Sequence, residues 1–169
     1  MKTLVIHPAD LTTDFLKEIY QGKDWTVINT NISKSSLRQH IKAHDRIIML
    51  GHGTTVGLFG FKRLVIDSTF VYLLREKYCI GIWCHAYMFF HRYNLKGRYT
   101  GMIISESEEA LYYNVEATDA EILESNKLFA TAISQSLDSD DFVQNCERIY
   151  AVTNPLTAFN QKNIFCNNS

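Results

Sequence analysis

Apolar segments of strand length alternate with segments of helical spacing over the first two thirds of the chain, which restricts it to the α/β class of folds. Three of the apolar segments contain almost no polar residue, which is typical of strands buried on both faces of a parallel sheet. Between the first two segments Leu11, Phe15 and Ile19 recur at a spacing of four, and Leu37 and Ile41 do so in the next interval. The pattern predicts βαβ units with helical crossovers. The predicted strands are residues 3–7, 25–30, 46–51, 78–84 and 99–105.

The crossover between the third and fourth predicted strands is longer than the others. It carries Gly57, Gly60 and Lys62 before an apolar run at residues 68–74. This composition favours a small hairpin followed by a helix. Because loops at strand ends often carry binding residues, the excursion is a candidate part of a site.

The last third of the chain carries helix-start signals. Residues 105–108 and 118–121 each match the capping box, in which a hydroxyl and a carboxylate satisfy the first free amides of a helix. Two helices are therefore predicted to begin there. One more helix is predicted over residues 141–150, before Pro155 and a polar tail at residues 167–169.

Composition limits the classes of function. At 169 residues, the chain fits a single domain, residues 1–169, with room for a core. Charged residues make up 21% and the net charge is -1, so charge indicates neither a nucleic acid nor a membrane as partner. The first apolar run is too short for a signal peptide, and we expect it to be the first strand of a cytoplasmic protein. The four cysteines form no CxxC pair and are expected to be reduced thiols.

Two predicted strands end in residues with catalytic chemistry. The strand at 46–51 leads into His52 and Gly53, and the strand at 78–84 ends in Cys84. If these strands are parallel neighbours, both ends lie at the carboxyl edge of the sheet, where α/β proteins bind ligands. A histidine can take the proton of a thiol, and a glycine lets its backbone N–H approach a substrate oxygen. The sequence therefore predicts Cys84 as nucleophile, His52 as base and the Gly53 N–H as an oxyanion donor.

The fifth predicted strand brings further polar residues to the same edge. Ser105 and Glu106 lie at its end, and we expect them to contact the substrate. Glu106, together with Asp67 and Glu108, is available for a basic side chain of the substrate. The N–H of Cys84 is a candidate second oxyanion donor.

A strand ending in His-Gly, followed by a strand ending in Cys, resembles the caspase-like cysteine peptidases, the group that includes caspases, gingipains, clostripain, legumain and separase. The resemblance covers roughly residues 1–110. It implies a three-layer αβα sandwich with a mostly parallel central sheet, a catalytic dyad of His52 and Cys84, and Gly53 as the oxyanion glycine. It also implies a peptide or protein substrate, and we expect no cofactor.

Two features depart from the caspase pattern. The caspase signature places a glycine shortly after the cysteine, whereas His85 follows Cys84 here, and the interval from His52 is shorter than the about 50 residues of caspases. The loops that would build a peptide groove are also short. An inactive relative that binds a peptide or protein partner in the same crevice is therefore an alternative.

The sequence also suggests two other kinds of site. The glycine-rich residues 51–57 suggest a nucleotide or small-molecule binding module of flavodoxin-like order, although they match neither phosphate-loop motif. His85 and His91 near Cys84 suggest zinc. On a helix these two histidines would point to different sides, so we expect no metal.

Overall fold

The computed structural model describes residues 1–167 of the chain. Residues Leu11–Ile19 and Ser68–Phe70 form 3-10 helices. The strands are β1 (Thr3–Ile6), β2 (Thr26–Ile28), β3 (Arg46–Leu50), β4 (His52–Thr54), β5 (Gly57–Gly60), β6 (Arg63–Ile66), β7 (Tyr78–Ile82), β8 (Gly97–Thr100) and β9 (Ile164–Asn167). The α-helices are α1 (Lys34–Lys42), α2 (Val71–Leu74), α3 (Ala86–Tyr93), α4 (Ser107–Tyr112), α5 (Asp119–Ser136), α6 (Phe142–Ile149) and α7 (Pro155–Gln161).

The strands of the described residues form two sheets. In the central sheet the spatial order is β2, β1, β3, β7, β8 and β9. Its neighbouring strands are parallel except β8 and β9, which are antiparallel. The strands β4, β5 and β6 form a separate antiparallel sheet, which contains the predicted hairpin of the third crossover. The central sheet is therefore mixed and mostly parallel.

Helices cover both faces of the central sheet. Side chains alternate between the two faces along a strand, and β3 shows this directly. Ile47 and Met49 pack in a core cluster with residues of α1, α2 and α3. Ile48 and Leu50 pack in a second cluster with residues of α5, α6 and the first 3-10 helix. The fold is a three-layer α/β sandwich with one apolar core on each side of the sheet.

Side-chain caps fix where α4 and α5 begin. The Thr118 hydroxyl accepts from the Glu121 N–H at 3.2 Å, and the Glu121 carboxylate accepts from the Thr118 N–H at 2.7 Å. This capping box confirms the prediction for residues 118–121. The box predicted at 105–108 is shifted by one residue, since Glu106 is the N-cap of α4 and its N–H donates to the Glu109 carboxylate at 3.2 Å.

The first crossover has a different period from the predicted one. It is a 3-10 helix of 9 residues in which Thr13, Leu16 and Ile19 are buried, whereas Leu11 is 90% exposed. A 3-10 helix has three residues per turn, so its buried side chains recur at a spacing of three. The prediction based on a spacing of four is wrong for this segment.

The predicted strand at 99–105 consists of the end of β8 and a following irregular segment. The Ile104 N–H donates to Asn160 Oδ1 at 2.8 Å, and Asn160 Nδ2 donates to Ile104 O at 2.9 Å. An amide side chain of α7 thus takes the hydrogen bonds that a neighbouring strand would make. The strand boundary predicted at residue 105 is wrong because these bonds come from a distant part of the chain.

The chain after Pro155 forms a helix and a strand, neither of which the sequence pattern predicts. Asn154 caps α7, and its Oδ1 accepts from the Thr157 N–H at 2.9 Å. Pro155 occupies the first turn, where its missing N–H costs nothing. β9 then adds an antiparallel edge strand to β8. Residues 168–169 of the predicted tail lie outside the described residues.

The cysteines and histidines show what chemistry is available. Cys79, Cys84 and Cys146 are free thiols. Within the described part of the chain, no group of three His, Cys, Asp or Glu side chains could hold a metal ion. His91 Nε2 instead lies 2.9 Å from the Tyr99 hydroxyl. Among residues 1–167, no helix combines the length and the apolar character required to cross a bilayer.

Candidate active site

The central strands β3 and β7 lead to one edge of the sheet. They are parallel neighbours, and their last paired residues are Leu50 and Ile82. One more backbone hydrogen bond, from the Gly51 N–H to Ile82 O at 3.1 Å, joins the chains beyond that pair. His52 follows β3 and Cys84 follows β7 at this carboxyl edge, which is where α/β sheets bind their ligands.

Cys84 carries a partly buried, protonated thiol. Its Sγ donates to Ile103 O at 3.7 Å. Burial, followed by the negative charge of Glu109, raises the pKa of the Cys84 thiol to about 11. At neutral pH roughly one molecule in ten thousand therefore carries the thiolate. The resting thiol needs a base before it can act as a nucleophile.

The backbone turns sharply after Cys84. His85 is the N-cap of α3 and has a φ of 65°, in the left-handed region that favours glycine. Its N–H donates to Gly101 O at 3.0 Å, which holds the turn against the end of β8. Strained backbone of this kind clusters at functional sites.

His52 belongs to a hydrogen-bonded chain that the sequence analysis missed. The Thr12 hydroxyl donates to Asp10 Oδ1 at 2.7 Å and lies 2.6 Å from His52 Nε2. Because the single hydroxyl proton points to Asp10, the hydroxyl oxygen accepts from His52 Nε2–H, which leaves Nδ1 as the basic ring nitrogen. Asp10 Oδ1 is also 3.9 Å from His52 Nε2. The hydrogen bonds from Thr12 lower the pKa of the Asp10 carboxyl below its ordinary value.

The sequence does contain a local pattern that could have indicated the hydrogen bonds from Asp10 through Thr12 to His52. Asp10 and Thr12 follow β1, and β1 neighbours β3, so their loop reaches the edge where His52 lies. An aspartate that accepts from the N–H two residues later forms a turn of its own. Asp10 Oδ1 accepts from the Thr12 N–H at 2.9 Å in this way, which orients the Thr12 hydroxyl.

Gly53 has a structural reason to be glycine. A Cβ at this position would lie 2.0 Å from Cδ1 of Trp83. The Trp83 Nε1–H donates to Thr54 O at 3.0 Å, so the indole is fixed against β4. Contact with Trp83 thus accounts for the glycine, and the Gly53 N–H as an oxyanion donor stays a prediction.

His52 and Cys84 line the same small cavity, whose volume is about 30 Å³. Thr13 and Phe15 of the first 3-10 helix form part of its wall. A cavity of this size holds about two water molecules, since one needs at least 10–15 Å³. It has no room for a peptide side chain, so the 3-10 helix covers the space between the two residues.

Ser105 and Glu106 lie at the same edge in different surroundings. Ser105 lines the small cavity, and its N–H donates to Glu109 Oε2 at 2.8 Å. Glu106 lines an open groove of about 480 Å³ together with Glu108 and Asp119. Burial, and then the charge of Glu109, raises the pKa of the Glu106 carboxyl. Two of the three carboxylates considered for a basic side chain therefore share this groove.

Asp67, the third carboxylate, is engaged elsewhere. It forms an ion pair with Lys34. It also caps the second 3-10 helix, since its Oδ1 accepts from the Thr69 N–H at 2.9 Å. These contacts give Asp67 a structural role, and the structure does not bring it into the groove of Glu106.

The glycine-rich segment at 51–57 forms β4 and the turn into β5. A phosphate loop leads into the first turn of a helix, whose N–H groups bind the phosphate. In this structure the chain runs from β4 through β5 to β6 instead. The phosphate-loop interpretation therefore lacks the element that it needs.

Comparison with known proteins gives little further information. No protein-family model matches the chain, and no curated protein matches its sequence. The solved structure of Trp repressor binding protein from Bacillus subtilis aligns with 83% of this chain and 100% of its own, at 17% identity and a TM-score of 0.47.

Proposed function

We propose that this protein is a cysteine hydrolase that cleaves peptide bonds, with Cys84 as nucleophile and His52 as base. The main support is that both residues, each following one of two adjacent parallel strands, line one cavity at the carboxyl edge of the sheet. This arrangement agrees with the resemblance to caspase-like peptidases. The raised pKa of the Cys84 thiol implies that the base acts during catalysis, when substrate is bound.

The proposed reaction has two steps. In the first, His52 Nδ1 takes the thiol proton, Cys84 Sγ bonds to the carbonyl carbon, and the Gly53 and Cys84 N–H groups hold the oxyanion. The C–N bond then breaks, and His52 returns the proton to the leaving nitrogen. In the second step, water attacks the thioester, a C–O bond replaces the C–S bond, and the thiol recovers its proton.

Asp10 and Thr12 act through His52 in this scheme. Thr12 holds Nε2 and so orients Nδ1 for the thiol proton. Asp10 is anionic because its pKa is lowered, and it lies close enough to stabilise the imidazolium that forms. Both are positioning residues, since neither needs to touch the substrate.

The proposal requires the first 3-10 helix to move. Phe15 and Thr13 wall the cavity between His52 and Cys84, which is too small for a peptide. Helices with 3-10 geometry are rarely as long as this one, because their hydrogen bonds are poorer than those of α-helices. The segment is therefore a suitable element to open when substrate binds.

Peptide turnover tests this function. A mixture of unrelated synthetic peptides would be incubated with the wild type and with Cys84→Ala, His52→Ala and Cys166→Ala variants, and the products identified by mass spectrometry. We expect cleavage by the wild type and by Cys166→Ala, which removes a thiol on β9. Cleavage should be lost in the other two variants while their circular dichroism stays unchanged. Equal cleavage by Cys84→Ala would exclude the dyad.

The second candidate is an inactive relative that binds a peptide or protein partner in the same crevice. The raised pKa of the Cys84 thiol favours it, since a protonated thiol needs no catalytic role. In that case, the wild type would cleave none of the peptides. Cys84→Ala would then bind a partner peptide as well as the wild type does.

A further inference from the structure

A second groove borders His52 without reaching Cys84. Its volume is about 430 Å³, within the range of about 300–1,000 Å³ typical of small-ligand sites. One wall is the segment after β1, with Pro8 and Asp10, and the other is the hairpin of β5 and β6, with Lys62 at its turn. This groove and the small cavity both contact His52, but only the small cavity contacts Cys84.

The hairpin gives this groove an apolar wall beside His52. Phe59 is the cross-strand partner of His52, so the two side chains lie on the same face of the pair. Phe59 is nevertheless 45% exposed, and Phe61 adds a second aromatic ring to the wall. A Cβ at Gly60 would lie 2.4 Å from Cβ of Pro8, so the two walls meet there. The groove offers aromatic surface next to the proposed general acid.

The turn of the hairpin is strained. Phe61 and Lys62 form the two-residue loop between β5 and β6, with φ values of 52° and 61°. Such turns favour Asn and Gly, because other residues pay a steric penalty at positive φ. Lys62 is exposed and has no ion-pair partner among residues 1–167. The stability of the fold requires neither the strained turn nor the unpaired ammonium of Lys62.

We propose that this groove binds the leaving-group side of the substrate, with a bulky apolar residue directly after the cleaved bond and an acidic residue next to it. The inference rests on the proposed function. When the C–N bond breaks, His52 protonates the leaving nitrogen while the acyl part stays on Cys84. The leaving segment therefore lies on the groove that contacts His52 but not Cys84. Asp10 and Lys62 both line this groove, and Lys62 can pair with an acidic side chain.

Cleavage products test this inference. Wild type, Lys62→Gln and Lys127→Gln would be incubated with a peptide mixture in which every residue type occurs at each position, and the new N-termini would be sequenced by mass spectrometry. Lys127 is an exposed lysine on α5 and serves as the matched control. We expect Phe, Leu or Met as the new first residue, followed by Asp or Glu. Lys62→Gln should weaken the preference for Asp or Glu about two- to fivefold, as expected for a partly exposed ion pair, and Lys127→Gln should not.

The outcomes separate this inference from the function on which it rests. Cleavage by the wild type without selection at these two positions, or with selection unchanged in Lys62→Gln, would overturn the leaving-group site and leave the hydrolase proposal standing. No cleavage by the folded wild type would overturn both. As a readout that needs no turnover, the dipeptides Phe-Glu and Phe-Lys would be titrated into Cys84→Ala. Equal binding of the two would also count against the inference.

Discussion

The Thr12 hydroxyl lies 2.6 Å from His52 Nε2, and this contact determines which ring nitrogen can serve as a base. The hydroxyl is itself bonded to Asp10, so it can only accept from the ring. Nδ1 is then the basic ring nitrogen. A residue of the 3-10 helix after β1 therefore determines which ring nitrogen of a histidine after β3 is basic.

Replacing Thr12 by valine should lower kcat/KM about 10- to 100-fold, because a small displacement of the base is costly. Thr12→Ser keeps the hydroxyl and should stay close to the wild type. An unchanged kcat/KM in Thr12→Val would mean that Thr12 does not position the base.

Cys84 should react slowly with iodoacetamide in the free protein. Its pKa of about 11 gives it about a hundredfold less thiolate at pH 7 than an ordinary thiol has, and labelling should keep rising well above pH 9. Glu109→Gln removes a charge that raises this pKa and should speed up the labelling. Glu108→Gln, on the same helix, is the control. Rapid labelling of the wild type below pH 7 would contradict the structure.

His7 should make the fold sensitive to acid. Burial lowers its pKa from 6.5 to about 4, and its ring contacts the hydroxyls of Tyr20 and Thr13. Between these two pH values the unfolded chain binds a proton that the folded protein does not. His7 therefore does not lower the free energy of unfolding above pH 6.5, and it lowers this free energy by about 3 kcal/mol as the pH drops towards 4.

Urea unfolding at a series of pH values measures this effect. His7→Gln should flatten the fall in the free energy of unfolding between pH 6.5 and 4, whatever its effect at neutral pH. His40→Gln, on α1, should keep the slope of the wild type. The same slope in His7→Gln as in the wild type would show that another group is responsible.

Lys62→Gly should stabilise the protein, although it removes a side chain from the surface. Glycine adopts a φ of 61° without steric cost, and the net gain should be about 0.5–1 kcal/mol after the entropy of the unfolded glycine is subtracted. Lys62→Ala keeps the strain and should not gain. Thermal unfolding compares the three proteins, and a less stable glycine variant would show that the turn is not strained.

The central strands could be predicted from sequence because burial on both faces leaves a continuous apolar run, as in residues 46–51. A single polar side chain that hydrogen-bonds to a residue distant in sequence leaves no such pattern. Asn160 hydrogen-bonds to Ile104, which is distant in sequence, and Thr12 contributes a single hydroxyl from the first turn of the 3-10 helix. The position of Cys84 after its strand follows from sequence, whereas its raised pKa depends on burial by other elements.

In the first crossover a helix is correctly predicted, but the set of its residues that is buried is not. Leu11, Phe15 and Ile19 are spaced for an α-helix, but the chain winds with three residues per turn. Ile19 is buried in either geometry, whereas Leu11 changes from buried to 90% exposed. Asp10 caps the N-terminus of this helix. Both the cap and the tighter winding depend on contacts outside the periodic residues.

The length of the first 3-10 helix determines the positions of Thr12 beside His52 and of Phe15 in the cavity wall together. A residue advances about 2.0 Å in a 3-10 helix and about 1.5 Å in an α-helix, so its 9 residues extend roughly 4–5 Å farther than an α-helix would. With Ile19 held in the core next to α5, that extra reach brings Thr12 to His52 and Phe15 into the wall of the cavity that Cys84 lines. Rewinding to an α-helix would withdraw both at once, so exposure of the thiol and release of the imidazole would be a single event.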